Sequence, residues 1–253
     1  MRKKIICVIP ARYGSERLPG KVLYKIDGKT ILQRVYERAK KVGIFSQIYI
    51  ATESKKIQEE CEKFGCKVIF TSENCRTGSD RVAEAIGKID GKIDMVVNIQ
   101  ADEPFLPIEA VKKPLEIMLE NPSINISTSV TKIREKEDLY NPNVVKVVLD
   151  KENNALYFSR SLIPYPRIYF NQDKLYSSKK VVFYKHIGVY IFRRDFLYKF
   201  AGMETTFLEN IEKLEQLRVI ENGYKIKIAI IKKDSPCVDT IGDIEKLVKY
   251  EEK

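Results

Sequence analysis

The chain has 253 residues, 44% of them hydrophobic and 32% charged, with 12 Gly and 10 Pro; this balance excludes collagen-like, low-complexity and disordered classes. The 45 Lys and Arg against 35 Asp and Glu leave a formal charge of +10, which favours anionic partners without choosing among phosphorylated small molecules, nucleic acid and acidic lipid. Five cysteines without C-x-x-C spacing, a single histidine and no G-x-S-x-G motif exclude a structural zinc site, a disulfide framework and a Ser-His-Asp hydrolase.

Residues 5–9 form a continuous apolar run, Ile-Ile-Cys-Val-Ile, which suits a strand buried on both faces of a parallel sheet. A loop from Pro10 to Gly28 follows, then a helix that opens on a Thr30-x-x-Gln33 capping box and ends at Gly43. A strand over 47–52, a helix over 54–64 capped by Ser54, and a strand over 67–70 complete a β-α-β-α-β alternation. A helix over 79–89, a buried strand over 94–100 and a helix over 107–119, kinked or broken at Pro114, extend it. Cys7 and Cys61 read as small buried apolar residues.

Past residue 123 the pattern changes. Strands are expected over 124–132, 144–150, 155–159 and 185–192, the second and third joined by the turn cluster 150–154. Residues 168–182 read as a mobile loop. Helices over 195–201 and 208–221, a strand over 224–231 and a last helix near 241–251 close the chain. The fold expected is α/β, a Rossmann-like, mainly parallel sheet flanked by helices with a mixed or antiparallel extension in the second half. It reads as a single domain over 1–253, with a nucleotide-binding part of about 1–122. No apolar run approaches the roughly 20 residues of a bilayer span, and the run behind the basic start is too short for a secretory segment. The expected location is the cytoplasm.

Five stretches carry chemistry. The first, Pro10-Ala-Arg-Tyr-Gly-Ser-Glu-Arg-Leu-Pro-Gly-Lys21, directly follows the first buried strand. Ligands of open parallel sheets bind at the carboxyl ends of strands. Small residues let backbone N–H groups approach oxyanions, and Arg12, Arg17 and Lys21 offset polyphosphate charge. The glycine spacing and Val22 after the lysine exclude a Walker A loop, and a basic surface turn is the plain alternative. The second, Asn98-Ile-Gln-Ala-Asp-Glu-Pro104, puts Asp102 and Glu103 at the end of another buried strand. A carboxylate there can hold Mg²⁺ against phosphate or cap the next helix. Val238-Asp239-Thr240 supplies a possible second metal carboxylate, or a cap. Thr77-Gly-Ser-Asp-Arg81 stands at a helix start, balanced between cap and site. The last set, Ser159-Arg160, Pro164-Tyr-Pro-Arg167, His186 within a strand and Leu214-Glu-Gln-Leu-Arg218 on a helix, suits a polyhydroxylated acid. Its cations would face the carboxylate, its amide and carboxylate groups the hydroxyls; a structural strand histidine is the plain alternative.

In this order the stretches IPARYGSERLPGK, TGSDR, NIQADEPF, NPNVVKVV, ALYFSRSLIPYPR, YKHIGVYIFRR, LEQLR and VDT resemble, essentially end to end, the 3-deoxy-manno-octulosonate (Kdo) cytidylyltransferase family. Acylneuraminate cytidylyltransferases share the first block more loosely. The resemblance implies a nucleotide-diphospho-sugar transferase-like fold and a homodimer, with strands of 124–160 as interface candidates. The part beyond about residue 123 would bind the sugar acid and dimerise. It also implies CTP and Mg²⁺ as requirements, CMP-Kdo and pyrophosphate as products, and a place in lipopolysaccharide biosynthesis. Carried over to this chain, Ala11, Arg12, Ser15, Arg17, Lys21, Ser79, Asp80, Arg81 and Gln100 would hold the nucleotide. Arg17, Lys21 and Asp102 would be catalytic, and Asp102 and Asp239 would hold Mg²⁺. Arg160, His186, Tyr190, Glu215 and Gln216 would face the acceptor. This chain departs from the family at Glu16, Val22, Ala101 and Cys237, none of which removes a charge-bearing group. Other readings of the same features are the same reaction on 8-amino-Kdo or a sialic-acid-like acid, a metal-dependent glycosyltransferase, and a basic nucleic-acid-binding protein; no stacking motif or known module supports the last.

Overall fold

The computed structural model describes residues 3–14, 18–167 and 181–234. Strand β1 (Ile5–Pro10) is buried along its whole length. It lies between two parallel neighbours, β4 (Gln47–Thr52) and β6 (Met95–Ile99). Parallel β5 (Lys67–Phe70) extends the sheet past β4. On the other side β10 (Tyr184–Arg193) pairs antiparallel with both β6 and β7 (Ile126–Lys132), and β11 (Lys227–Ile231) adds parallel to β7. The path is β11-β7-β10-β6-β1-β4-β5, parallel but for β10. The expected mixed extension is this insertion together with the antiparallel hairpin β8 (Lys146–Leu149) and β9 (Ala155–Ser159), attached to β10 through β8. Strands β2 (Lys25–Ile26) and β3 (Lys29–Thr30) form a separate hairpin across the end of the expected 10–28 loop.

Period-two alternation along β1 divides the core. Cys7 and Ile9 face α1 (Ile31–Val42), α2 (Lys55–Lys63) and α4 (Ile108–Glu120), while Ile6 and Val8 face α3 (Gly78–Gly87) and α6 (Arg194–Ala201). Cys7 and Cys61 are fully buried free thiols, and burial raises the pKa of both.

Local chemistry corrects several expectations. Helix α4 runs unbroken through Pro114. Proline has no N–H for the Ala110 carbonyl, but Ser129 Oγ donates to that carbonyl at 2.8 Å, so the missing helical bond is replaced from β7. At α1 the Thr30 side chain caps Gln33 N, but the Gln33 amide turns to Glu37 instead of completing a box. Ser54 makes no side-chain cap, whereas Thr77 caps α3 by accepting from Asp80 N. A short α5 (Lys136–Tyr140) is added. The single helix expected over 208–221 is two, α7 (Phe207–Glu212) and α8 (Leu217–Glu221). Between them Lys213 adopts left-handed φ 53°. Buried Arg218 ties the two together with bonds of 2.8 and 2.6 Å to Glu209. The expected helix near 241–251, Asp239, Ser15, Glu16, Arg17, Cys237 and most of the 168–182 loop lie outside the described residues.

Candidate active site

From β1 the chain runs to β4 on one flank of the sheet and from β6 to β7 on the other, and such a reversal of strand order is a switch point that opens a crevice at the carboxyl edge. The loop after β1 closes where Gly20 N donates to Tyr13 O at 2.8 Å. Gly20 has φ 69°, and a Cβ there would lie 3.2 Å from the Tyr13 ring, so this turn requires glycine. A short 3₁₀ turn, Lys21–Leu23, follows. It carries Lys21 to the loop after β6, where Nζ lies 2.6 Å from Asp102 Oδ2. The two sequence stretches that follow buried strands thus meet in one ion pair.

Next to Asp102 opens a cavity of about 300 Å³. Its wall includes Gln100, Asp102, Glu103, Arg160, His186, Tyr190, Glu215 and Gln216, all singled out in the sequence, together with Asn143, Lys185 and Lys213, which were not. Glu215 and Gln216 occupy the turn before α8, not the body of a helix, because Lys213 ends α7.

A hydrogen-bond chain crosses the floor. Gln100 Nε2 donates to Asn98 Oδ1 (3.4 Å), Asn98 Nδ2 to Ser79 Oγ (3.1 Å), and Ser79 Oγ to Glu215 Oε1 (2.6 Å). Burial raises the Glu215 pKa above the usual carboxylate range, while the bonds from Ser79 and Thr77 pull the other way. His186 Nε2 lies 2.8 Å from Thr128 Oγ1, whose own hydrogen is directed at the Val189 carbonyl. Nε2 is therefore the donor and Nδ1 the acceptor. The ring packs on Phe158 and Tyr190, with centroids 5.4 and 5.2 Å away. Burial pushes its pKa down to about 3. His186 is thus a neutral hydrogen-bonding group and not one of the cations expected for the acid. Burial likewise raises the Tyr190 pKa.

Arg160 remains as a cation of that site. Its Nε donates to Glu212 O and one Nη to Pro142 O, each at 2.8 Å, and the other Nη to Lys213 O at 3.4 Å. Lys185 is instead bound to Asp138 (3.1 Å) and Asp234 (2.6 Å). Burial opposes the charge on Lys185, but the two carboxylates prevail and raise its pKa.

Other sequence candidates support the site from behind. Arg81 is buried and pairs with Glu53 at 2.8 Å, and Glu53 accepts from Tyr13 N at 3.1 Å, so Arg81 fixes the base of the β1 loop. Asp80 pairs with Arg76 and Arg218. Buried Ala11 gives its N–H to Ala51 O and packs within the core. Arg12 is exposed beside it. Glu53, Asn143 and Lys185 left no sequence signal, because each acquires its place only through pairing distant in the chain.

A crevice at a switch point, where a cation–carboxylate pair borders a polar pocket of about 300 Å³, fits a nucleotidyltransferase of the α/β class. The family described as Cytidylyltransferase matches residues 6–228. Two 3-deoxy-manno-octulosonate cytidylyltransferases, from Geotalea uraniireducens and Francisella philomiragia, are 44% and 47% identical to the chain. They cover 97% and 96% of it, and 98% and 96% of their own lengths. A CMP:2-keto-3-deoxy-manno-octonic acid synthetase complexed with CTP superposes with a TM-score of 0.88 at 36% identity, over 99% of both chains. An inositol-1-phosphate CTP transferase from T. maritima shares the fold, with a TM-score of 0.66 at 14% identity over 100% of this chain and 96% of its own. The chain belongs to the 3-deoxy-manno-octulosonate cytidylyltransferase family.

Proposed function

We propose that this chain transfers the cytidylyl group of CTP to Kdo, giving CMP-Kdo and pyrophosphate for lipopolysaccharide biosynthesis in the cytoplasm. The observation that carries the reading is the single cavity uniting Gln100, Arg160, His186, Tyr190, Glu215 and Gln216 beside the Lys21–Asp102 pair. The anomeric hydroxyl oxygen attacks the α-phosphorus, the bond to the β-phosphate oxygen breaks, and the hydroxyl proton passes to solvent. Lys21, with Arg12, Ser15 and Arg17, holds phosphate oxygens. Arg160 faces the acid's carboxylate with the guanidinium N–H groups that its three carbonyl partners leave over. His186 Nδ1, Tyr190, Glu215 and Gln216 orient hydroxyls. The work is positioning and charge stabilisation, for which a neutral His186 suffices.

The residues present fit Mg²⁺. Asp102 Oδ1 accepts no hydrogen bond among the described residues. No cluster of three His, Cys, Asp or Glu side chains occurs among them, and Mg²⁺ needs only one or two carboxylates beside phosphate and water oxygens. Asp102, with Asp239, would hold it; bound there, Mg²⁺ withdraws charge from phosphate oxygens and acidifies a sugar hydroxyl. A homodimer is part of the reading, supported by the exposed apolar Tyr140 and Leu156 within 124–160.

The test is pyrophosphate release with Mg²⁺ across CTP, UTP, ATP and GTP, each with Kdo, N-acetylneuraminate or no acceptor. Release confined to CTP with Kdo is expected. Release with CTP and another acid would overturn the acceptor assignment, and release from no pair would overturn the reaction.

A further inference from the structure

Lys146 begins β8 and lies directly across from Ser159 of β9 on one side and Lys185 of β10 on the other. Its side chain is fully buried. A lysine in that position normally pairs with a carboxylate, because an unpaired buried charge is costly. This one does not. Nζ donates to three main-chain carbonyls, those of Asn141 (2.9 Å), Val144 (2.7 Å) and Arg160 (2.5 Å). Each ammonium hydrogen has one acceptor.

The three carbonyls belong to the two segments that build one wall of the acceptor cavity. Asn143, Val144 and Val145 line it from one segment and Arg160 from the other. Arg160 itself donates to the carbonyl of Pro142, inside the first segment. The segments are therefore stitched twice, once by Arg160 at the cavity face and once by Lys146 behind it. We propose that Lys146 is the positioning residue that holds Arg160 and the 141–145 segment in the geometry that receives the acceptor's carboxylate. The proposal rests on the reading of Arg160 given above.

The bond count gives this device a pH dependence. A neutral amine has two hydrogens and a lone pair, so one carbonyl loses its donor and faces the lone pair instead. Burial, helped by the nearby Arg160 charge, lowers the Lys146 pKa to about 8, while Glu212 and Asp138 act in the opposite direction. The charged groups facing it are Arg160 at the end of β9, Glu212 on α7, Asp138 on α5 and Lys185 on β10. Lys185 is itself neutralised by Asp138 and Asp234, and Glu212 is occupied by Ser159 Oγ and Arg160 N. An anionic acceptor binds better to the protonated form, so its affinity falls as pH rises through the pKa of the free enzyme.

The experiment is steady-state kinetics of the full chain from pH 7 to 9.5, with KM for acceptor and for CTP measured separately, for wild type, Lys146→Met, Arg160→Gln and the double variant. In wild type the acceptor KM should rise above about pH 8 toward the value of Lys146→Met, by about threefold per pH unit or more, with the CTP KM unmoved by the same transition. Lys146→Met should raise the acceptor KM about tenfold or more at pH 7.5 and abolish the alkaline rise, with kcat and CTP KM within about threefold of wild type. In the Arg160→Gln background it should add less than about threefold, because residues acting through one another are not additive. An acceptor KM flat with pH in wild type overturns the proposal even if Lys146→Met does not fold. So does a folded Lys146→Met with a wild-type acceptor KM while Arg160→Gln is impaired. An Arg160→Gln variant with an unchanged acceptor KM would instead overturn the reading of Arg160, and the proposal with it.

Discussion

Replacing Gly188 by alanine adds one methyl group at the point where β10 touches the loop after β6. Gly188 lies at the register shift between Ile187 and Tyr190. Its N–H donates to Glu103 Oε1 at 3.0 Å, and its carbonyl accepts from Gln100 N at 3.1 Å. A Cβ there would lie 2.9 Å from Glu103 Oε1 and 3.0 Å from Gln100 Cγ. Its φ is not in the left-handed range, so the backbone accepts alanine and the conflict is one of space alone. Overpacking of this kind costs about 1–3 kcal/mol, and a hydrogen bond to a charged acceptor is worth about 1.5–3 kcal/mol. These overlap, since moving Glu103 relieves the clash and loses the bond. Reduced freedom of the unfolded chain returns about 0.4–1 kcal/mol. The net is a loss of about 2 kcal/mol, or a Tm lower by about 4–8 °C for a chain of this size. Gln100 and Glu103 flank Asp102, and misplacement by about an ångström at a reacting centre costs about 100-fold in rate. Gly188→Ala should therefore lower both Tm in thermal unfolding and kcat/KM in pyrophosphate release. A variant with wild-type Tm and kcat/KM would refute the close-approach argument.

Asp102→Asn keeps the shape but removes the charge that faces Lys21; turnover should fall more than about 100-fold while CTP binding by calorimetry survives in part, and full activity would remove Asp102 from the mechanism. Glu215 has a raised pKa from burial, so the native state holds its proton to higher pH than the unfolded chain, and stability from this group falls as pH rises through the raised pKa; Glu215→Gln should flatten that decline in urea midpoints taken between pH 5 and 8, and an unchanged slope counts against the shift. His186, with a pKa of about 3, does the reverse: the native state resists protonation, so stability is lost as pH falls from about 6.5 toward 3. His186→Asn should lose less over that interval, and an equal loss would mean that the ring charges in place.

The sheet was readable because its strands are buried on both faces and advertise themselves as apolar runs, as at Ile5–Pro10 and Met95–Ile99. The loops after those two strands were readable for the same reason, since a polar stretch following such a run must emerge at one sheet edge. Pro114 misled because its compensation comes from Ser129 on another element. The break at Lys213 misled because no glycine or proline marks it; the turn is set by Arg218 pulling α8 onto Glu209. Asn143 and Lys185 enter the cavity only through the pairing of β8 and β10, a contact that the order of residues does not encode locally.

The charge count was the least informative sequence signal, and the structure shows why. A cation held by a carboxylate has its field cancelled at short range, whereas one held by carbonyl dipoles keeps a full unit of charge. Arg81 on Glu53, Arg218 on Glu209 and Asp80, and Lys185 on Asp138 and Asp234 are of the first kind. They build the site and add little to its attraction for anions. Arg160 and Lys146 are of the second kind, each satisfied by three carbonyls; Arg160 lines the cavity and Lys146 lies buried behind the same wall. Lys21 stands between the two, paired with Asp102 inside the crevice that phosphates would enter, so an arriving anion competes with Asp102 for its ammonium. Attraction for an anionic acceptor is thus concentrated where two positive charges have only dipoles for partners, and the formal charge of +10 says little about where that place is.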